Sequence, residues 1–280
     1  MFSMRIGLVQ MSMDDDMAKN VEKAASMAEE AAKKGAKIIC LPELYRSLYF
    51  PQDENKDVKK FLEKQKGESF NIFSKVARKN KVTIIVPIFE ISGNKRFNTA
   101  LVIGDNGKLL TVYRKMHIPH DPSFYEKNYF EQGNQGYKVI KTKEGKIAPL
   151  ICFDQWFPEA ARVVSLEGAE IIFYPTAIGS FSDSNTPEDM HNGWETVQRG
   201  HAIANGVHVA AVNRVGREGN LIFWGQSFVC DSFGKIIAKA SDDKEEVLVA
   251  DVDLSFNDVI KEGWGFIRNR RPDSYKPLLK

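Results

Sequence analysis

The chain has 280 residues, of which 43% are hydrophobic and 27% charged, with a net charge of +2 and three Cys. That is room for one large α/β domain or two modest ones, and so small a charge, with Lys spread along the chain, does not argue for a nucleic-acid surface. No stretch approaches the roughly 18 apolar residues of a membrane span, and the residues before Asp14 lack the apolar core of a secretory signal. An odd number of Cys makes no disulfide framework and suggests a reducing compartment, so a soluble cytoplasmic protein is expected.

In chain order, Arg5 to Met11 is a short apolar run suited to a central strand. Ala18 to Lys34 repeats Val21, Ala24, Ala25, Ala28, Ala31 and Ala32 near helical spacing, and Gly35 ends it. Lys37 to Leu41 reads as a buried strand running into Pro42 and Glu43. From Asp57 to Asn80 the apolar positions predict helix with a break near Gly67, and Val82 to Glu90 predicts a strand with Pro87 near its end. Asn98 to Ile103 and Lys108 to Arg114 flank Gly104-Asp-Asn-Gly107, and Asn-Gly is the strongest short hairpin signal. His117 to Gly136, rich in Pro, Gly, Asn and aromatics, reads as a long loop of the kind that usually carries function.

Ile147 to Ile151 has the content of a buried strand and stops at Cys152. Pro158 and Glu159 suit a helix N-terminus, and the helix they begin can end at Gly168. Strands are expected at Glu170 to Tyr174 and His208 to Asn213, with a polar loop from Phe181 and a helix from Met190 to Asn205 between them. Gly216-Arg-Glu-Gly219 reads as a turn without the context of a phosphate loop. Gln226 to Ala238 predicts a second hairpin, Val247 to Val252 a last strand, and the tail from Gly263 is irregular, basic and aromatic. Strand–helix–strand units mixed with hairpins indicate a mixed sheet covered by helices. No linker divides the chain, so one domain over residues 1–280 is expected.

Cys152 stands where an apolar strand passes into a helix, which presents a side chain and leaves backbone N–H groups nearby. A nucleophile that passes through an oxyanion uses both. A small buried hydrophobe would sit there equally well. Glu43 and Lys115 each follow an apolar strand, and each alone also fits a solvated charge. Together the three would form a reaction set: a carboxylate takes the thiol proton, an ammonium steadies the oxyanion, and the thiolate attacks a carbonyl or nitrile carbon. His201 competes as the base of a Cys–His pair, although its mid-helix place among apolar neighbours also suits packing; His117 and His120 lie in the long loop. No zinc-ligand spacing occurs, so neither a metal nor an organic cofactor is expected.

Leu41-Pro42-Glu43-Leu44, Tyr113-Arg114-Lys115-Met116-His117-Ile118 and Ile151-Cys152-Phe153-Asp154-Gln155-Trp156-Phe157-Pro158-Glu159 resemble, in order, the three signature segments of the nitrilase (carbon–nitrogen hydrolase) superfamily. The likeness runs from Arg5 to Pro272. Within the superfamily, Asp154 to Arg162, Phe173 to Ser180 and Gly200-His201-Ala202 with Asn205 most resemble the N-carbamoylputrescine amidohydrolases. Phe153, Met116 and His120-Asp121-Pro122-Ser123 depart from the commoner pattern.

The resemblance implies a four-layer α-β-β-α sandwich with mixed sheets, paired into a homodimer or larger homo-oligomer, its tail from about residue 263 reaching toward a neighbour. It implies Cys152 as nucleophile, Glu43 as general base and Lys115 as oxyanion stabiliser, with Glu126, His117 and the N–H of Phe153 in support. The implied reaction is hydrolysis of a ureido C–N bond, N-carbamoylputrescine to putrescine, carbon dioxide and ammonia. Its cationic tail needs aromatic or acidic company, for which Tyr49, Asp183, Glu188, Asp189 and Trp194 are candidates. Trp156, Thr176 and Ala177 complete the expected pocket. A β-ureidopropionase-like enzyme would use Arg199 or Arg214 for a carboxylate tail instead, and other amidases, a nitrilase or a non-catalytic interaction module are the remaining alternatives.

Overall fold

The computed structural model describes residues 3–182 and 190–279. Its strands begin with β1 (Ser3–Gln10), β2 (Ile38–Cys40), β3 (Thr83–Ser92), β4 (Lys95–Ile103) and β5 (Leu109–Arg114). After a long loop come β6 (Ile140–Lys141), β7 (Lys146–Pro149), β8 (Ile171–Pro175), β9 (Gly179–Phe181) and β10 (His208–Val212). The remaining strands are β11 (Val215–Glu218), β12 (Leu221–Trp224), β13 (Phe228–Cys230), β14 (Ile236–Lys239) and β15 (Glu246–Asp253). The helices are α1 (Met17–Lys33), α2 (Glu68–Asn80), α3 (Pro158–Leu166), α4 (Met190–Asn205) and α5 (Ser255–Trp264).

Two six-stranded sheets form, ordered β15-β1-β2-β3-β4-β5 and β14-β13-β10-β8-β7-β6. In each, three central strands run parallel and are joined by helices, as parallel neighbours must be. Their apolar runs are continuous because both faces are covered. Inward, Ile6, Leu8 and Ile38 of the first sheet pack with Ile147, Ile172 and Val209 of the second. Outward, the Ala24, Ala28 and Ala31 stripe of α1 and Phe73 and Ala77 of α2 cover the first sheet. Ala160 and Val164 of α3 and Trp194 and Ala202 of α4 cover the second. The layers are therefore α-β-β-α. Each fully buried Val, Leu or Ile side chain contributes about 1.5–3 kcal/mol.

Three segments correct the sequence reading. Between Asp57 and Gly67 only a 3₁₀ turn forms, Lys59–Phe61, and Gly67 is the N-cap of α2. Val58 and Phe61 face an aromatic cluster with Phe50, Phe89 and Phe130, so their spacing reports that contact rather than a helix. Gly216 lies inside β11, which pairs with β12, and the reversal falls at Gly219, whose φ is +58°. The segment before the tail is helical: α5 buries Asn257 and Ile260 and ends at Gly265, whose φ of +66° is left-handed. β6, β9 and β12 were also unread, and the last two form a small third sheet with β11. Pro87 is tolerated inside β3 because β2 stops at Cys40, opposite Ile85, and asks no N–H of it.

The ends of β2, β5, β7 and β8 release Glu43, Lys115, Cys152 and Thr176 at one seam between the sheets. β5 is antiparallel to β4, which is antiparallel to β3, so it delivers Lys115 to the same edge as β2 delivers Glu43. Among the described residues no helix is long and apolar enough to cross a membrane.

Candidate active site

Glu43, Lys115 and Glu126 have no exposed surface. Lys115 Nζ donates to Glu43 Oε1 at 2.8 Å and to Glu126 Oε2 at 2.7 Å. Glu43 Oε1 also accepts from Asn98 Nδ2 at 2.7 Å, while its Oε2 has no partner among the described residues. Glu126 Oε1 accepts from the Tyr49 hydroxyl at 2.7 Å. Burial alone would lower the pKa of Lys115, but Glu126 and Glu43 outweigh it and hold the ammonium well above its ordinary value. Burial pushes Glu126 up to about 7, with Lys115 drawing it down and Glu43 driving it further up. One ammonium thus serves two buried carboxylates.

Cys152 opens a 3₁₀ turn, Cys152–Trp156, with a φ of +42°. A residue other than Gly in that region costs on the order of 1–3 kcal/mol and persists only where its surroundings impose it. Asp154 does so. Its carboxylate accepts from the N–H of Ile151 at 2.9 Å, the Tyr113 hydroxyl at 2.6 Å and the N–H of His117 at 3.1 Å. The His117 ring binds the same carboxylate through Nδ1 at 2.7 Å and stacks on Phe157. Behind the turn, His201 Nε2 meets the Gln155 carbonyl at 2.8 Å. Both histidines therefore brace the turn, and His120, exposed, lies against Tyr125.

Cys152 is 7% exposed, and its thiol donates to the Ala177 carbonyl at 3.8 Å. Burial first, then Glu43, raises its pKa well above the ordinary value, against the pull of Lys115. The N–H of Phe153 makes no hydrogen bond among the described residues. The sulfur opens on a cavity of about 500 Å³ whose wall includes Glu126, Phe153, Trp156, Ala177, Phe181 and Asp121.

Several expected residues stand elsewhere. Tyr49 and Trp194 are fully buried, Tyr49 on Glu126 and Trp194 Nε1 on Gln155 Oε1 at 2.9 Å, and Thr176 Oγ1 reaches the same oxygen at 3.2 Å. They support the wall from behind. Asp183, Glu188 and Asp189 lie outside the described residues. Arg214 pairs with Glu218, and Arg199 with Glu195 and the Gly234 carbonyl, so neither faces the cavity. The sequence reading missed Asn98, Asp154 and Asp121. An Asn inside a buried strand and an acid within an apolar turn were the available signals. Among the described residues no cluster of His, Cys, Asp and Glu is arranged to hold a metal ion.

Comparison with known proteins adds four likenesses. The carbon-nitrogen hydrolase family profile matches residues 5–260. The chain is 42% identical to an N-carbamoylputrescine amidase of Oryza sativa subsp. japonica, over 98% of this chain and 94% of that one. It is 38% identical to a citrullinase of Francisella tularensis, over 100% and 99% respectively. A crystal structure of a carbon-nitrogen hydrolase from Helicobacter pylori G27 superimposes with a TM-score of 0.95 at 41% identity, covering 99% of both chains.

Proposed function

Because this chain belongs to the carbon–nitrogen hydrolase family, we propose that it hydrolyses N-carbamoylputrescine through Cys152, Glu43 and Lys115. The observation that carries this reading is a single buried ammonium held between two buried carboxylates beside a thiol on a cavity wall. The unpartnered Oε2 of Glu43 takes the Cys152 proton as the sulfur attacks the ureido carbon. Lys115 Nζ and the N–H of Phe153 stabilise the tetrahedral oxyanion. The C–N bond to the terminal amide then breaks, Glu43 returns the proton to the departing ammonia, and a thiocarbamate remains on Cys152. Water, deprotonated by Glu43, displaces the sulfur. The released carbamate decomposes to carbon dioxide and putrescine.

The tail of this substrate is an ammonium, and Asp121 is an exposed acid on the cavity wall. The citrullinase likeness supports a second substrate, whose tail carries a carboxylate as well as an ammonium. Against it, Arg199 and Arg214 are committed to Glu195 and Glu218. Ammonia release from N-carbamoylputrescine, citrulline and N-carbamoyl-β-alanine decides between them. The expected kcat/KM is at least about tenfold higher for N-carbamoylputrescine, the scale of one good charge contact, and a preference for either acid would discard this substrate. Exposed Trp264, Leu278 and Leu279 support the further reading that the C-terminal segment packs on a second copy of the chain.

A further inference from the structure

Behind Glu43 lies a charged pair that the reaction scheme does not use. Arg214, between β10 and β11, has no exposed surface, and Glu218 is 4% exposed. Arg214 Nη2 donates to the backbone carbonyls of Glu43 at 2.7 Å and Leu44 at 3.1 Å. Its Nη1 donates to Glu218 Oε1 at 2.7 Å and to the Ser47 carbonyl at 3.3 Å. Leu44 has a φ of +49°, a conformation that a leucine holds only when it is imposed. β2 has ended by Cys40, so the chain that carries Glu43 is past its last ladder partners on that strand. The other oxygen of Glu218 accepts the N–H of Tyr49 at 2.5 Å, and the Tyr49 hydroxyl holds Glu126.

We propose that Arg214 and Glu218 are positioning residues for the hydrolysis, fixing the left-handed turn that aims the Glu43 carboxylate and, through Tyr49, the carboxylate of Glu126. A guanidinium suits this task because its planar fork reaches several acceptors at fixed angles, whereas an ammonium is a point charge on a flexible stem. The pair grips the backbone of the very residue that carries the base. An ion pair that served stability alone would have no need of those two carbonyls. The inference rests on Glu43 acting as the base.

The test uses Arg214→Lys, which keeps the buried charge opposite Glu218, because removing that charge outright leaves its partner unpaired and threatens the fold. Glu218→Gln is the companion variant, its amide oxygen still able to accept from Tyr49. Turnover is measured per iodoacetamide-titratable Cys152 thiol, the other two cysteines being fully buried, alongside the pH dependence of alkylation. The thiol faces Glu43, Lys115, Glu126 and Tyr49. If Glu43 swings away, a negative charge leaves the sulfur and the alkylation limb moves to lower pH.

The expected result for Arg214→Lys is a kcat about 10- to 100-fold lower, as for other losses of aim in a reacting group, with KM within twofold and a displaced alkylation limb. Unchanged kcat and an unchanged limb overturn the proposal. So does a loss that vanishes when activity is counted per titratable thiol, since that is a folding defect only. Glu43→Gln separates the two ideas: if it retains full turnover the base assignment fails, whereas a silent Arg214→Lys beside an inactive Glu43→Gln refutes the positioning role alone.

Discussion

The two sheets bring unlike things to one seam. From the first come charges without exposed surface, Glu43 and Lys115, joined by Glu126 from the loop after β5. From the second come a thiol and its frame, Cys152 on a strained turn braced by Asp154, with the Ala177 carbonyl opposite. The first is a closed electrostatic set in which removing one member strands the others. The second leaves its key atom open to a cavity. Buried charge must be paired to be tolerated, whereas a thiol proposed as nucleophile must be reachable, and two sheet edges meet both demands a few side chains apart.

That contrast is tested most severely at the thiol. Cys152→Ala is expected to reduce ammonia release by on the order of 10⁴-fold or more while its melting temperature stays close to that of the parent, because alanine inherits the same backbone strain. A large loss of stability would show that the second region is as closed as the first. Lys115→Met attacks the charged region and should abolish turnover and cost about 3–5 kcal/mol of stability, since two buried carboxylates lose their cation. Urea denaturation measures it; a cost under about 1 kcal/mol, the range of exposed pairs, would mean the set is wetter than its burial implies.

A gentler test is titration. Folded Glu126 is raised from 4.5 to about 7, chiefly by burial, so the stability it contributes is fully present below about pH 4.5 and lost as pH rises through about 7. The parent should therefore lose stability between roughly pH 5 and 8 more steeply than Glu126→Gln, as thermal melts across that range will show; parallel curves would place the carboxyl at an ordinary value. The smallest effect is expected at the mouth. Asp121→Asn should raise KM for N-carbamoylputrescine only a few-fold, the worth of one exposed charge, and leave an uncharged alkylurea unaffected. Equal effects on both substrates would show that the side chain reads shape, not charge.

The same division decides what could be read in advance. Strand ends followed by polar residues singled out Glu43, Lys115 and Cys152 as candidates, and the apolar run into Pro158 pointed to the turn. Which acids and aromatics face the cavity depends on how two separate sheets dock, and local spacing carries no trace of that. Tyr49 and Trp194 look like ligands for a cation in the sequence, yet each spends its polar atom on a carboxylate or amide behind the wall. Asp154 is the converse case, an acid inside an apolar segment whose four hydrogen bonds come from Tyr113, Ile151 and His117. The helix expected over residues 57–67 failed because Val58 and Phe61 answer to an aromatic cluster across the chain. Gly219-Asn220 reverses the favoured Asn-Gly order, which hid the β11–β12 hairpin.

One pairing has a consequence in time as well as in space. β15 lies antiparallel beside β1, from Ser3 opposite Asp253 to Gln10 opposite Glu246, and the Arg5–Asp251 bond across it joins residues 246 positions apart. The sheet that carries both Glu43 and Lys115 is thus completed at one edge by β15, the last strand among the described residues. Contacts so distant in sequence form late, so this edge of the sheet stays open in a chain emerging from the ribosome until synthesis has passed Asp253.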